Sequence, residues 1–410
     1  MRIAINGTGV AGPTLAYWLR HYGHEPMLFE KAPKLRTGGY VVDFWGVGYD
    51  IAEKMGLLPR LHELGYSMEE LRMVDADGEP KARMKGDTFR ALTDGRYVSI
   101  ARGDLAATIF DACDGIEARF GRSIVGLRQH DAGVRAAIDD GTHEDFDLVV
   151  GADGLHSHVR ELTFGPESDF EHFLGFQVAV FIAPGYPRRD ELVFVSHTIP
   201  GRHLARISLH GDETAFLFIW RSERNPEGGA FPETDDDKRR LLRHVFADMG
   251  WEAPDALALL DGAENIYLDR VSQIRMDHWT KGRVALVGDA AACASLLAGE
   301  GSGLGMTEAY VLAGELAAGD HERAFAAYEQ RMQPFVVGKQ QAAMRFAGFF
   351  APATKRAIWM RDLGVRMASV PWLARMLMGS SLRDEIELPT YDTPEPKAGE
   401  AAHPAPTLWA

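Results

Sequence analysis

The first thirty residues constrain this chain more than any other stretch. Met1-Arg2-Ile3-Ala4-Ile5 reads as a buried strand, and it runs into the turn Gly7-Thr8-Gly9-Val10-Ala11-Gly12. A helical period follows from Pro13 to Tyr22, and then a second apolar run, Pro26-Met27-Leu28-Phe29-Glu30. Strand, glycine turn, helix and strand in that order make a βαβ unit. The turn fits GxGxxG, in which each glycine has its own task. Gly7 allows the tight bend, Gly9 lets the backbone approach a pyrophosphate, and Gly12 lets helix and strand pack closely. Val10 and Ala11 lie where the helix opens, and a helix N-terminus attracts negative charge. Glu30 ends the second strand, where a carboxylate accepts hydrogen bonds from an adenosine ribose, and Lys31 follows it in the same stretch. The plain alternative is a glycine-rich turn with no ligand.

Composition excludes several other classes. A formal net charge of −15, with no long basic run, argues against a phosphate-backbone binder, so no nucleic-acid partner is expected. The block Asp235-Asp236-Asp237-Lys238-Arg239-Arg240 puts acids before bases and reads as the start of a solvated helix. The two cysteines, Cys113 and Cys293, form no CxxC pair, so neither a disulfide framework nor a thiolate metal site is expected. A strand that occupies the first residues leaves no room for a signal peptide, and no apolar run reaches the length of a membrane-spanning helix. The expectation is a cytoplasmic protein in a reducing compartment, without metal or integral membrane segment, as a monomer or homodimer.

Further along, the period changes twice. Phe146-Asp147-Leu148-Val149-Val150 reads as another buried strand ending in a turn. Between about 170 and 275 the pattern is period 2: Ala205 to His210 alternates apolar and polar, Gly211-Asp212 turns, and Ala215 to Trp220 returns. At Gly282 to Asp289 the buried-strand signal comes back, and the small-residue stretch after it reads as a helix to about Leu316. Residues 340–385 are helical in period, and the tail from Pro389 is proline-rich and expected to be loose or wrapped on the surface. The expected fold is α/β. A Rossmann-like dinucleotide-binding domain (1–170 and 276–340) carries an inserted mixed β-sheet substrate domain (171–275), C-terminal helices (341–388) and a tail (389–410).

Three more segments give the dinucleotide an identity, by likeness. Arg102-Gly103-Asp104-Leu105, Asp153-Gly154 with Ser157 and Arg160, and Gly288-Asp289-Ala290-Ala291 with Gly299-Glu300-Gly301 recur in order and spacing. Together with the first turn they resemble the motifs of the class A flavoprotein monooxygenases, the para-hydroxybenzoate hydroxylase-like aromatic hydroxylases. The resemblance covers about residues 1–320 and fits the short members that lack an added C-terminal domain. It implies FAD as cofactor and NADPH or NADH as co-substrate. It also implies O₂ activated as a flavin C4a-hydroperoxide, and hydroxylation of a hydrophobic aromatic or polycyclic small molecule.

On the family pattern Arg102 reaches FAD through its phosphates, and Asp153 and Gly154 serve both FAD and NAD(P)H. Gly288 and Asp289 meet the flavin's ribitol or ribose hydroxyls, and the backbone around Gly299, Gly301 and Ser302 approaches the isoalloxazine. Arg36, Gly38 and Gly39, with Asp43 after them, resemble the family's loop beside the ring. Structural alternatives stand beside each: a surface ion pair for Arg102, a helix-cap cation for Arg160, a plain turn for Asp153-Gly154 and a solvated loop for Arg36 to Asp43. For Asp289 the alternative is a helix cap.

The sequence departs from the family at Ala292 and Leu296, where many relatives carry His and Pro, so no proton-handling role is read there. No catalytic side chain is assigned. His197, Arg206 and His210 are candidates for a base or anchor, against a solvent-facing alternative. Phe216, Phe218, Trp220, Phe346, Phe349, Phe350 and Trp359 would suit either pocket walls or plain core. Arg361 to Met378 has the mix of a membrane-surface helix as well as of a packed one. Rival functions are a flavin halogenase, although the WxWxIP sequence is absent, a flavin reductase, and a non-catalytic ligand-sequestering flavoprotein. No second GxGxxG follows a strand, so NAD(P)H is expected to meet the flavin without a Rossmann domain of its own.

Overall fold

A computed structural model describes residues 1–35, 41–187, 190–226, 231–295, 297, 299–369 and 386–391, the side chains of 89 and 345–347 apart. Arg36, Gly38, Gly39 and Leu296, the side chain of Phe346, and most of the tail lie outside them.

The βαβ unit forms as its period dictates. Strands Arg2–Asn6 and Glu25–Glu30 pair in parallel, Ile5 opposite Leu28, across the helix Ala11–His21. They lie in a six-stranded sheet ordered Thr280–Lys281, Val284–Leu286, Leu148–Gly151, Arg2–Asn6, Glu25–Glu30, Glu117–Phe120. All of its pairings are parallel except that of the two-residue edge strand. Leu148–Gly151 and Val284–Leu286 are buried throughout, as strands covered on both faces must be. The chain thus returns, more than a hundred residues later, to lay Val284–Leu286 beside Leu148–Gly151.

A seven-stranded mixed sheet forms the second layer, ordered Tyr267–Ile274, Glu171–Pro184, Glu213–Arg221, Arg202–Leu209, Val193–Ile199, Glu70–Val74, Pro80–Lys85. The hairpin at Gly211, whose φ of +72° suits glycine, joins two of its central strands. Two strands come from residues 70–85, so the sheet draws on chain that precedes 171 and ties the two layers together.

Side-chain alternation gives this sheet two different faces. Phe181, Phe216, Phe218 and Trp220 face helices Asp235–Phe246 and Ala253–Leu259, with the Phe218 and Phe246 rings 4.9 Å apart. These aromatics are core beneath two helices. The acid-before-base block opens the first of those helices through a capping box between Thr234 and Asp237. On the opposite face, Val178, Leu217 and Ile219 meet Leu297, Phe350 and Ala351.

One expectation needs correction. The small-residue stretch after Asp289 is not one helix: a short helix Asp289–Ala292 stops, and a new one, Gly301–Ala318, starts after Gly299 bends with φ +70°. Of the two states expected for the tail, its described start is the wrapped one. Tyr310 donates to the Pro389 carbonyl, and Tyr391 packs across Gly314 and donates to Glu315 at 2.7 Å. The helix His321–Phe350 runs without interruption across residue 340.

Candidate functional site

The glycine turn is built for backbone contact. Gly7 has φ +114°, and a Cβ on Gly12 would stand 2.0 Å from the Gly7 carbonyl oxygen. Neither position admits a side chain. At Gly9 the nearest atom to an added Cβ would be the Arg102 Nη2, at 3.9 Å, so this side of the turn is open. No side chain caps the helix that starts at Ala11, leaving its first-turn N–H groups for a ligand.

Arg102 opens the helix Arg102–Asp111, is exposed, and makes no hydrogen bond or ion pair among the described residues. The surface ion-pair alternative therefore finds no partner. Glu30 turns its carboxylate back to the same turn, accepting from Thr8 N (3.0 Å), Thr8 Oγ1 (2.8 Å) and Ala32 N (2.8 Å). Three bonds leave a carboxylate with acceptor capacity to spare. Lys31 beside it is exposed.

The second motif is occupied by its own structure. Asp153 accepts from Asn6 Nδ2 (3.0 Å), from the Ser157 hydroxyl, and from the N–H groups of His158 and Val159, so it pins the end of one strand to the start of the helix His158–Thr163. Gly154 follows with φ +83°. Arg160 is fully buried and is no cap cation at the surface. Its guanidinium donates to Leu155 O (2.6 Å), Glu167 (2.9 Å) and Ala290 O (3.2 Å), which clamps this turn to the segment after Asp289.

Asp289 begins its short helix, with Gly288 at the cap position in a conformation (φ 64°) that suits glycine. Its Oδ1 lies 3.6 Å from where a Cβ of Gly301 would be, so the strand end and the 299–303 segment converge. Ser302 stands in the first turn of the helix from Gly301, which no side chain caps.

Opposite that segment runs the strand Val41–Trp45, paired with Tyr97–Ala101. Asp43 accepts from Tyr97 OH (2.7 Å) and Ser99 Oγ (2.6 Å), and shares a cleft with Trp45, Gly48, Gly299, Gly303 and Lys339. Lys339 pairs with Glu300 at 2.9 Å on the rim. Of the loop that resembles the ring-side loop of the family, Asp43 is thus brought to the glycine segment, while Arg36 and Gly39 lie outside the described residues.

The three candidates for base or anchor are not gathered there. His197 and Arg206 are buried, not solvent-facing. His197 bonds Val74 O, and Arg206 is locked between Glu252 (2.7 Å) and Asp190 on the helix-covered side of the sheet, beside Trp251. His210 stacks on Tyr66 at 4.3 Å. Sequence reading missed Tyr97, and also Glu308, which is fully buried and accepts the Gly288 N–H at 2.6 Å. Neither carries a motif signal; only the fold brings them to the site.

An open turn beside an unpartnered guanidinium, two uncapped helix starts and carboxylates at both ends fit a flavin adenine dinucleotide, whose pyrophosphate and polyol need these groups. Comparison with known proteins bears on the same point. The profile of the FAD binding domain family matches residues 1–339. A flavin-dependent monooxygenase from an unknown prokaryotic organism is 34% identical over 396 residues, covering 96% of this chain and 99% of that one. Another, from Legionella longbeachae serogroup 1 (strain NSW150), is 33% identical and covers 83% and 87%. Among solved structures, the tetracycline destructase Tet(51) superposes with a TM-score of 0.80 at 32% identity, over 95% of this chain and 99% of that one. The fold and site define an FAD-binding oxidoreductase. The chain belongs to the class A flavin-dependent monooxygenase family.

Proposed function

We propose that the chain hydroxylates a hydrophobic aromatic or polycyclic small molecule, using NAD(P)H and O₂. The observation that carries this is Leu217. It sits mid-strand in the seven-stranded sheet, between buried Phe216 and Phe218, and yet is only half-buried, on the face turned from the two covering helices. Partly exposed Ile182 and Phe194 lie on the same side, so that face offers apolar side chains that are not fully covered, as the lining of small-molecule sites does. The likeness to a protein named tetracycline destructase supports a fused-ring substrate.

In this reading the first-turn N–H groups and Arg102 hold the pyrophosphate, Glu30 the adenosine ribose, and Asp289 the polyol. The 299–303 backbone, with Asp43 opposite, would flank the ring. Bound FAD supplies hydride acceptance and activation of O₂. The protein's own part is to bind, orient and exclude water, which is why no nucleophile is required. Among the described residues no helix is long and apolar enough to cross a membrane, and Cys113 and Cys293 are both buried and unpaired, which suits a reducing, cytoplasmic setting.

The test is a screen of aromatic and polycyclic compounds for faster NAD(P)H oxidation, followed by mass spectrometry of products made under labelled O₂. One labelled oxygen per product is expected. Label from water, or oxidation of NAD(P)H with no oxygenated product for any compound, would overturn the reading in favour of hydration or of a reductase.

A further inference from the structure

Among the described buried acids that the proposed function does not use, Glu308 is the one with no exposure at all. Glu308 lies on the helix Gly301–Ala318 with no exposure to solvent. Its Oε2 takes the Gly288 N–H at 2.6 Å and stands 3.2 Å from the hydroxyl of Tyr328, which is also buried and donates to Leu286 O at 3.0 Å. Its Oε1 is buried with no partner. The three residues tie the helix Gly301–Ala318, the helix His321–Phe350 and the end of the strand Val284–Leu286 into one knot directly behind Asp289. The knot has little room: a Cβ on Gly288 would meet the Ala11 Cβ at 3.1 Å, and Gly305 packs against the same Ala11. The turn that presents Asp289 is therefore held against the start of the first helix, and the acceptor for its Gly288 N–H comes from Glu308.

We propose that Glu308 is a positioning residue for the cofactor: as a neutral acid it fixes the Gly288–Asp289 turn so that the Asp289 carboxylate is presented to the FAD polyol. The inference rests on the reading of Asp289 as an FAD ligand. Neutrality follows from the surroundings. A charged carboxylate would bury one bare oxygen and set a second negative charge near Asp289, and no cation among the described residues pairs with Glu308 to offset it. Burial accordingly pushes the Glu308 carboxyl well above the usual carboxylate range. Neutral, it still offers Oε2 to the backbone, and that is all the turn requires.

A neutral hydrogen-bonding acid has a clear isostere, so Glu308→Gln and Glu308→Leu separate the role from simple filling of space. FAD binding to apoprotein is read by flavin fluorescence, with circular dichroism and the apoprotein urea midpoint as controls for folding. Glu308→Gln should bind FAD within about threefold of wild type, because an amide oxygen replaces the acceptor. Glu308→Leu should bind about tenfold or more weakly, since a buried N–H then loses its acceptor. Tyr328→Phe, which keeps the ring, should fall between them and serves if the leucine variant does not fold. Wild-type affinity in Glu308→Leu (or in Tyr328→Phe, where only that variant folds), while Asp289→Ala loses FAD, overturns the proposal but spares the reading of Asp289. Equal loss in Glu308→Gln and Glu308→Leu overturns it too, because charge would then be essential. Retention of FAD by Asp289→Ala overturns both.

Discussion

Gly48 and Gly303 touch backbone to backbone: a Cβ on Gly48 would stand 2.4 Å from the Cα of Gly303. The contact joins the helix Gly46–Lys54 to the helix Gly301–Ala318 at the cleft that Asp43 and Gly299 share. Gly48→Ala therefore has to push one helix aside. It should cost about 1–3 kcal/mol of apoprotein stability by overpacking and weaken FAD binding as well. Urea titration and flavin fluorescence read the two effects; a variant unchanged in both would show that the helices do not meet as described.

Arg102 makes the opposite prediction. Its guanidinium has no partner among the described residues, so Arg102→Ala should leave the apoprotein's urea midpoint where it was. A charge-assisted hydrogen bond to phosphate is worth about 1.5–3 kcal/mol, so FAD should bind about tenfold or more weakly. Arg102→Lys should recover only part of that, lacking the forked donors. Equal losses of stability and affinity would return Arg102 to a structural role.

Neighbouring side chains on one strand should separate substrate choice from stability. Phe218 lies under the helix Asp235–Phe246, and Phe218→Ala should cost about 3–5 kcal/mol with little change in the ranking of substrates. Leu217, half-buried on the opposite face, should do the reverse: Leu217→Ala alters relative kcat/KM among compounds more than it alters stability. A substrate ranking that moves with Phe218 and not with Leu217 would put the substrate on the other face of the sheet.

His203 supplies a pH prediction. Burial lowers its pKa to about 3, and its Nδ1 bonds Thr198 Oγ1 at 2.8 Å. An unfolded histidine titrates near 6.5, so the folded state resists a proton that the unfolded chain accepts. The sign follows: this contribution to stability is present above about pH 6.5 and is lost progressively as the pH falls toward about 3. His203→Gln should flatten the acid side of a plot of urea midpoint against pH. A parallel fall in variant and wild type would assign the acid sensitivity to other groups.

The parts of the site legible in the sequence are those where one local constraint forces one residue. Gly7 and Gly12 are readable because no side chain fits, and the return of the chain at Val284–Leu286 is readable because a strand buried on both faces must be apolar throughout. Arg206 misled for a related reason. Period 2 says that alternate residues share a face, but not that two helices will cover the polar one, and Arg206 survives there only through Glu252 and Asp190. The small-residue run after Asp289 favours a helix locally, whereas the break at Gly299 belongs to the cleft. Glu308 and Tyr97 were invisible because their meaning depends on partners 20 and 54 residues away.

The place of Val284–Leu286 beside Leu148–Gly151 and Arg2–Asn6 also sets a timetable for synthesis. The opening strand leaves the ribosome first, but the strand end that carries Asp289 is made only after two thirds of the polypeptide. At about 5–20 residues per second the nascent glycine turn must wait on the order of tens of seconds for its opposite wall. On the proposed reading of Asp289, the dinucleotide's site is complete only once residue 289 has been made, and a nascent chain released earlier would lack that wall.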